Sequence, residues 1–304
     1  MEAASIQAPT PQRRRSKGLS ERRLAFVMVS PSMLLIALVA AYPIIYAIWL
    51  SLHEYSVRVA GLSRWAGFNN YSEALSNPDF WDAFTTTLIF SAVSVSLELL
   101  IGLAMALCMH EAFKGQGLLR TTVLVPWAVL TVVTAIMWRT IFESPQGFVN
   151  NIIGGDTVWL GQEPHALIVI IIADVWKTAP FMALLILAGL QTIPGEIYEA
   201  ARVDGATKWQ RFAKITLPLL KPAILVALIF RTLDALRIFD LPYFLTKGSQ
   251  GTTTLSLIAQ ETFAANRIYG LGAAYSILTF ITVMIVSFTY IWTVGGNIRG
   301  LAED

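Results

Sequence analysis

The feature that most constrains this chain is a series of long apolar stretches. The first of them contains no charged residue from position 24 to position 52. A helix needs about 20 mainly apolar residues to cross the hydrocarbon layer of a membrane, which is roughly 30 Å thick. Six stretches are long enough, with approximate bounds 24–52, 83–109, 118–142, 166–190, 218–245 and 268–295. They predict an all-α integral membrane protein with six transmembrane helices.

The composition supports a membrane location and argues against several other classes. Hydrophobic residues make up 55% of the chain and charged residues only 14%, whereas about a quarter of the residues in a soluble domain are charged. The formal net charge of +2 is too small to indicate a nucleic-acid partner. The single cysteine, Cys108, excludes an internal disulfide framework and any CxxC motif.

The N-terminal segment is basic and precedes the first apolar stretch. A secretory signal also begins with positive charge, but its apolar region is only about 7–15 residues long. We therefore expect a basic cytoplasmic tail over residues 1–23 and a transmembrane domain over residues 24–304. Pro31 and Pro43 are expected to be tolerated as kinks in the first span.

Lysine and arginine are distributed unevenly between the two sides of the expected membrane domain. One side has six in the tail, two after the second span, five between Arg202 and Lys221, and Arg299, while the other side has four. Cytoplasmic loops of membrane proteins carry an excess of these residues. The asymmetry predicts that both termini are cytoplasmic.

A short amphipathic helix is expected on the cytoplasmic side, after Pro194. Ile197, Ala200 and Val203 lie on one face of it, and Asp204 and Gly205 supply a bend after it. Amphipathicity alone favours a helix that lies on the lipid headgroups. The alternative is a helix that is held between two membrane spans and receives force from a cytoplasmic partner.

The loop also has a distinctive sequence over residues 199–218: Glu199-Ala200-Ala201, Asp204-Gly205-Ala206, Phe212, Ile215 and Leu217-Pro218. These residues resemble the EAA loop of binding-protein-dependent ABC importer permeases. Further segments resemble carbohydrate permeases of the maltose-transporter type: Gly67 to Tyr71, Gly147 to Asn150 with Trp159-Leu160, Trp176 to Phe181, and Phe239 to Thr246. The six-span form with a long basic tail resembles the permease subunits of trehalose importers.

The resemblance implies a sugar importer of the bacterial cytoplasmic membrane that works by alternating access. It implies four kinds of partner: a second homologous permease, two ATPase subunits that use ATP and magnesium, an extracytoplasmic solute-binding protein, and the sugar. It also implies that the loop over residues 195–222 contains the helix that couples to the ATPase. The expected coupling residues are Glu196, Glu199, Ala200, Ala201, Asp204, Gly205 and Ala206. The chain has no GxxxxGK[ST] phosphate loop, so we do not expect it to bind and hydrolyse ATP itself. It also has no HExxH motif, and we expect no catalytic residue, cofactor or metal in this chain.

Charged residues within the expected spans are candidates for a solute path, because such residues normally face the bundle interior. Span four contains Asp174 and Lys177, three residues apart, and span two contains Glu98. Span five shows alternating charges at every third position, Arg231, Asp234, Arg237 and Asp240, which predicts pairs between successive helical turns. These pairs could simply hold helices together. The alternative is a substrate path, for which the expected residues are Trp176, Lys177, Asp234, Arg237, Asp240 and Tyr243.

Two other functions are compatible with the same membrane composition. A proton-coupled secondary transporter also places acidic residues within the membrane, but it predicts inverted repeats or broken helices, which the sequence does not show clearly. A membrane-embedded enzyme would need a catalytic constellation in the loops, and no convincing one is present.

Overall fold

A computed structural model describes residues 20–56, 63–111 and 114–299. The expected basic tail therefore lies almost entirely outside the described residues. The chain forms two units, residues 1–46 and 47–304. The first unit contains one long helical segment, which continues into the start of the second.

The described residues are mainly helical. The α-helices are α1 Glu21–Ile36, α2 Tyr42–Ser51, α3 Asn69–Ser76, α4 Pro78–His110, α5 Gln116–Ala128, α6 Thr131–Ile141, α7 Phe148–Ile153, α8 His165–Leu190, α9 Gly195–Val203, α10 Lys208–Arg211, α11 Leu217–Ala235, α12 Asp240–Leu245, α13 Leu255–Gln260 and α14 Tyr269–Arg299. Wider π-helical turns lie at Ala37–Ala41, Phe212–Thr216 and Glu261–Ala265. Two short antiparallel strands, β1 His53–Glu54 and β2 Arg64–Trp65, pair outside the helices.

The described residues contain five helical segments that are long and apolar enough to cross a membrane: Arg22–Ser51, Pro78–His110, His165–Leu190, Lys208–Ala235 and Tyr269–Tyr290. A sixth span is present if the bent pair of α5 and α6 crosses as one unit. Spans one, two, four and six thus agree with the stretches expected from the sequence. The helical segment of the first span also continues through Pro31 and Pro43.

The third span differs from its prediction because it is not one continuous helix. Helices α5 and α6 meet at an angle of 88°, and Val129 and Leu130 between them are extended. Pro126 lies inside α5, where its ring clashes with the carbonyl one turn earlier and it lacks an N–H to donate. Hydropathy alone could not reveal this break.

The fifth span is displaced from its predicted position by about one-third of its length. The helical segment begins at Lys208 and ends at Ala235, rather than running over 218–245. Pro218 does not start the span, because the π-helical turn at Phe212–Thr216 leads directly into α11. After α11 the chain turns at Leu236–Phe239 and enters the separate helix α12.

The interior of the second unit is built around α4, α8 and α11, which pack against one another. Gly102 permits the closest approach of α4 and α8, since a Cβ at that position would lie 2.8 Å from Met182 Cγ. A second apolar cluster joins α3 and the start of α4 to α13 and α14, with Tyr275 at its centre. The polar groups buried between these helices are shielded from water and therefore need hydrogen-bond partners within the protein.

Candidate functional site

A buried charge network joins the three central helices. Arg231 on α11 is only 2% exposed, Glu98 on α4 is 0% exposed, and Asp174 on α8 is 5% exposed. The Arg231 Nε lies 2.5 Å from Glu98 Oε2, and its Nη2 donates to Glu98 Oε1 at 2.9 Å and also to Asp174. Asp234 completes the set, with Nη1 of Arg231 donating to its Oδ2 at 3.0 Å. One guanidinium therefore contacts three carboxylates.

Thr178 adds a hydroxyl group to this network. Its Oγ1 lies 2.7 Å from Glu98 Oε1 and 2.6 Å from the carbonyl oxygen of Asp174. Two carboxyl groups buried within a membrane bundle are costly unless a cation and hydrogen-bond donors satisfy them. The network provides both, and in doing so it fixes α4, α8 and α11 to one another.

A cavity of about 170 Å³ opens beside this network. Asp234 faces it with a largely exposed side chain, and the other lining residues include Thr131, Asp174, Lys177, Thr178, Arg231, Arg237 and Asp240. The structure thus brings together four of the six residues expected in the substrate path. Trp176 instead packs edge-on against Trp138, and Tyr243 stacks on Phe239.

The predicted ladder of charges on one helix is wrong beyond its first pair. Arg231 and Asp234 form an ion pair one turn apart, but α11 ends at Ala235. Arg237 therefore lies in the turn after α11, where its Nε donates to the carbonyl of Leu233 at 3.1 Å. Asp240 begins α12. Arg237 and Asp240 still line the cavity. They do so from the turn after α11 and from the start of α12, not from one continuous helix.

Lys177 does not pair with Asp174 as the spacing suggested. Its Nζ donates to the carbonyl oxygens of Val129 and, at 3.4 Å, Trp127. These carbonyls lie at the end of α5, where the break leaves acceptors without helical partners and where a cation is favoured by the helix dipole. Lys177 therefore stabilises the break in the third span from the neighbouring helix.

A larger cavity of about 690 Å³ lies between α11, α13 and α14. Its walls are mainly apolar, with Phe263 and Phe280 among them, and its polar lining residues are Arg237, Ser256, Gln260, Ser276, Thr279 and Ser287. Arg237 lines both cavities. The sequence did not single out the serines, Thr279 or Gln260, because isolated neutral polar residues in a span carry no distinctive pattern.

The loop after α8 folds as two short helices with a sharp bend between them. Helix α9 ends at Val203, and Gly205 adopts a left-handed conformation with φ of 79°. The backbone N–H of Ala206 donates to the carbonyl of Ala201 at 2.9 Å, which satisfies an acceptor at the helix end. Thr207 then caps α10 through a reciprocal pair of hydrogen bonds with Gln210.

The outer surface of this loop carries most of the residues expected to couple to a partner. Glu196, Glu199, Ala200, Asp204 and Gly205 are exposed, whereas Ala201 and Ala206 are half-buried. Val203 and Trp209 are large apolar side chains that are 88% and 73% exposed. Tyr198 anchors the opposite face, with its hydroxyl 3.0 Å from Thr216 Oγ1. The loop thus presents an apolar surface bordered by acidic residues.

Comparisons with known proteins match this architecture. Residues 98–294 match the family described as binding-protein-dependent transport system inner membrane component. The chain is 43% identical to the trehalose transport system permease protein SugA of Mycobacterium tuberculosis, over 93% of this chain and 92% of SugA. It is 45% identical to the trehalose/maltose transport system permease protein MalF of Thermococcus litoralis, over 92% and 95% of the two chains.

A solved structure shares the fold. A chain from a bacterial alginate ABC transporter, crystallised with a periplasmic protein that holds an alginate pentasaccharide, aligns with a TM-score of 0.77 and 23% identity. The alignment covers 88% of the present chain and 92% of that chain.

Proposed function

Because the chain belongs to the family of binding-protein-dependent transport system inner membrane components, we propose that it is the permease subunit through which a sugar enters the cell. Family membership makes it a multi-pass inner-membrane transport subunit rather than an enzyme. ATP hydrolysis belongs to a separate subunit in importers of this type. The rival classes, a proton-coupled transporter and a membrane-embedded enzyme, do not belong to this family.

The observation that carries the choice of a sugar is the similarity to SugA and MalF. Both relatives are named for trehalose transport, and each is matched at 43% or more identity over more than nine-tenths of both chains. We therefore propose trehalose or a similar disaccharide as the solute. ATP and magnesium would bind in the partner ATPase.

The proposed assembly contains this chain, a second homologous permease, two ATPase subunits and an extracytoplasmic solute-binding protein. Its orientation, with both termini in the cytoplasm, follows from the excess of lysine and arginine on one side. In this orientation α9 and the exposed side chains of Val203 and Trp209 face the ATPase. Glu196, Glu199, Ala200, Ala201, Asp204, Gly205 and Ala206 form the proposed coupling surface.

The proposed solute path runs along the two cavities that share Arg237. Sugar hydroxyl groups donate to carboxylates and accept from guanidinium groups, so Asp234, Arg237 and Asp240 provide complementary partners. A cavity of about 170 Å³ is smaller than most ligand sites, which range from about 300 to 1,000 Å³. The 690 Å³ cavity is large enough to enclose a disaccharide, and the smaller one would receive part of it.

The other expected path residues have different proposed parts. Trp176 and Tyr243 are each 37% exposed, and an aromatic face can pack against a pyranose ring. They would contact the solute at the borders of the path. Lys177 would act indirectly, by holding the break in the third span that lies beside Thr131 and the smaller cavity.

A double substitution tests the path without changing the net charge of the cavity lining. Arg237→Leu plus Asp240→Leu removes one positive and one negative group from the cavity. Glu54→Leu plus Arg64→Leu, in paired positions of β1 and β2, is the matched control. We expect the path variant to raise the KM for trehalose uptake at least tenfold, since charged hydrogen bonds contribute about 1.5–3 kcal/mol each. Normal uptake by an assembled path variant would refute this path.

A further inference from the structure

A cavity of about 390 Å³ lies at the end of the bundle that carries α9 and α10. Its inner wall is formed by Leu107 near the end of α4 and Leu190 at the end of α8. Its outer wall is formed by α9, α10 and the following π-helical turn, which contribute Tyr198, Arg202, Lys208, Arg211, Phe212 and Thr216. The cavity therefore lies where apolar membrane helices meet the polar loop.

The lining of this cavity is strongly basic. Arg202, Lys208 and Arg211 carry positive charge, His110 adds a ring N–H donor, and Glu111 is the one acidic residue among the lining positions that the structure describes. Among the described residues, the one ion pair of Arg202 is an exposed contact of 3.7 Å with Glu199, which contributes little. Lys208 and Arg211 have no acidic partner within salt-bridge distance among the described residues.

Arg211 adds a second observation, because one of its donors is unsatisfied. Its Nε is buried, yet no hydrogen-bond acceptor in the described part of the chain reaches it. A buried guanidinium donor without an acceptor is unfavourable. Arg211 also lines the cavity, and its planar guanidinium group is well suited to binding two oxygens of one phosphate.

We propose that this cavity binds a phosphate group, with Arg211 and Lys208 as its main ligands and Arg202 and His110 at its border. The apolar wall of Leu107, Leu190 and Phe212 suits the glycerol and upper acyl carbons of an anionic phospholipid, and basic pockets at the ends of membrane helices bind such headgroups. Soluble phosphate is the other source of the same chemistry. A ligand here would contact α9, α10 and the ends of α4 and α8 together, and so stabilise the position of the loop relative to the bundle.

Binding is tested with the full-length chain, in the complex with which it is extracted from membranes. Dioctanoyl phosphatidylglycerol is titrated into the detergent-solubilised complex, and bound lipid is counted by native mass spectrometry. Lys208→Gln plus Arg211→Gln should weaken binding at least tenfold. Lys214→Gln plus Lys221→Gln is the matched control, because it removes two positive charges from the same segment at exposed positions outside the cavity lining. It should change the affinity less than twofold.

Further arms keep the proposal falsifiable. Lys208→Arg retains the charge and should bind the lipid as the wild type does. Lys208→Gln alone changes an exposed position and tests the contribution of this side chain to lipid binding without altering Arg211. Inorganic phosphate is added as a competitor: displacement of the lipid supports a site that recognises the phosphate itself, and failure to displace it supports the lipid as the source. Equal losses in the two double variants would show general attraction to charge and overturn the proposal. Binding to the isolated chain but not to the complex would identify a protein interface and overturn it as well.

Discussion

Arg231 is the residue on which the interior of the bundle most depends. Its guanidinium group satisfies Glu98 and Asp174, which are almost fully buried, and also reaches Asp234 at the cavity. Removing one member of a buried ion pair leaves its partner uncompensated, which costs about 3–5 kcal/mol. Here two buried carboxylates would lose the same cation. The arginine thus has a structural role, and it also forms an ion pair with Asp234 at the cavity.

Replacing Arg231 should therefore destabilise the protein far more than a conservative change at its partner. We expect Arg231→Leu to lower the free energy of unfolding by at least about 3 kcal/mol, with poor recovery of the assembled complex. Glu98→Gln keeps the shape of the side chain and one oxygen acceptor, and it should lower the free energy of unfolding much less. The thermal unfolding midpoint and the yield of monodisperse complex measure the effect of each of the two substitutions. A stable Arg231→Leu complex with an unchanged midpoint would contradict the role assigned to the network.

The sequence reveals that charged residues lie within the spans but not how they pair. Glu98 and Arg231 are 133 positions apart, and only the packing of α4 against α11 brings them together. Local spacing correctly indicated the pair Arg231–Asp234. It failed for Asp174–Lys177, because contacts with other helices compete successfully for both side chains.

At the level of helices, the break in the third span and the bend after α9 both depend on local backbone conformation. Most spans could be predicted because hydropathy reports long apolar segments directly. It does not report where the backbone leaves the helix, so the break at Val129 and Leu130 and the end of α11 at Ala235 were not found. Pro126 was the one local signal for the break. The bend at Gly205 was predictable because Asp-Gly commonly forms turns.

Gly205 allows a test that separates coupling from stability. A Cβ would meet no atom within 4 Å at either Gly205 or Gly115, and both have left-handed φ angles, 79° and 97°. Alanine should therefore cost each site a similar amount, about 1–2 kcal/mol. Gly205 lies in the bend between α9 and α10, whereas Gly115 precedes α5, so we expect only Gly205→Ala to affect the orientation of α9 relative to α10. We expect it to reduce sugar uptake per ATP hydrolysed at least fivefold, whereas Gly115→Ala should leave this ratio unchanged. Equal ratios in the two variants would contradict the coupling role.

At the level of the whole molecule, the ends of the helices agree with alternating membrane crossings. The cavity beside α9 brings together the C-terminal ends of α4 and α8. Towards the other end of the bundle, Thr87 near the start of α4 accepts a hydrogen bond of 2.9 Å from the backbone of Leu255. The two long helices therefore point in the same direction, as expected if the chain crosses the membrane between them.

The orientation of the molecule can be checked by cysteine labelling. Cys108→Ala provides a background in which single cysteines replace Ser16, Asn151 or Ala302. Because the excess of positive charge keeps its side of the protein in the cytoplasm, an impermeant thiol reagent added to intact cells should label only the cysteine at position 151. Permeabilised cells should show labelling at all three positions. Reaction at position 16 or 302 in intact cells would reverse the proposed orientation.

The central claim, that this chain is the permease of an ATP-driven sugar importer, is tested most directly by transport in a defined system. The complex that co-purifies with the chain is reconstituted into proteoliposomes with ATP and magnesium on the ATPase side and trehalose-loaded binding protein on the other. We predict trehalose uptake that requires ATP and the binding protein and is insensitive to a protonophore. Uptake that proceeds without ATP and collapses when the proton gradient is dissipated would contradict the account.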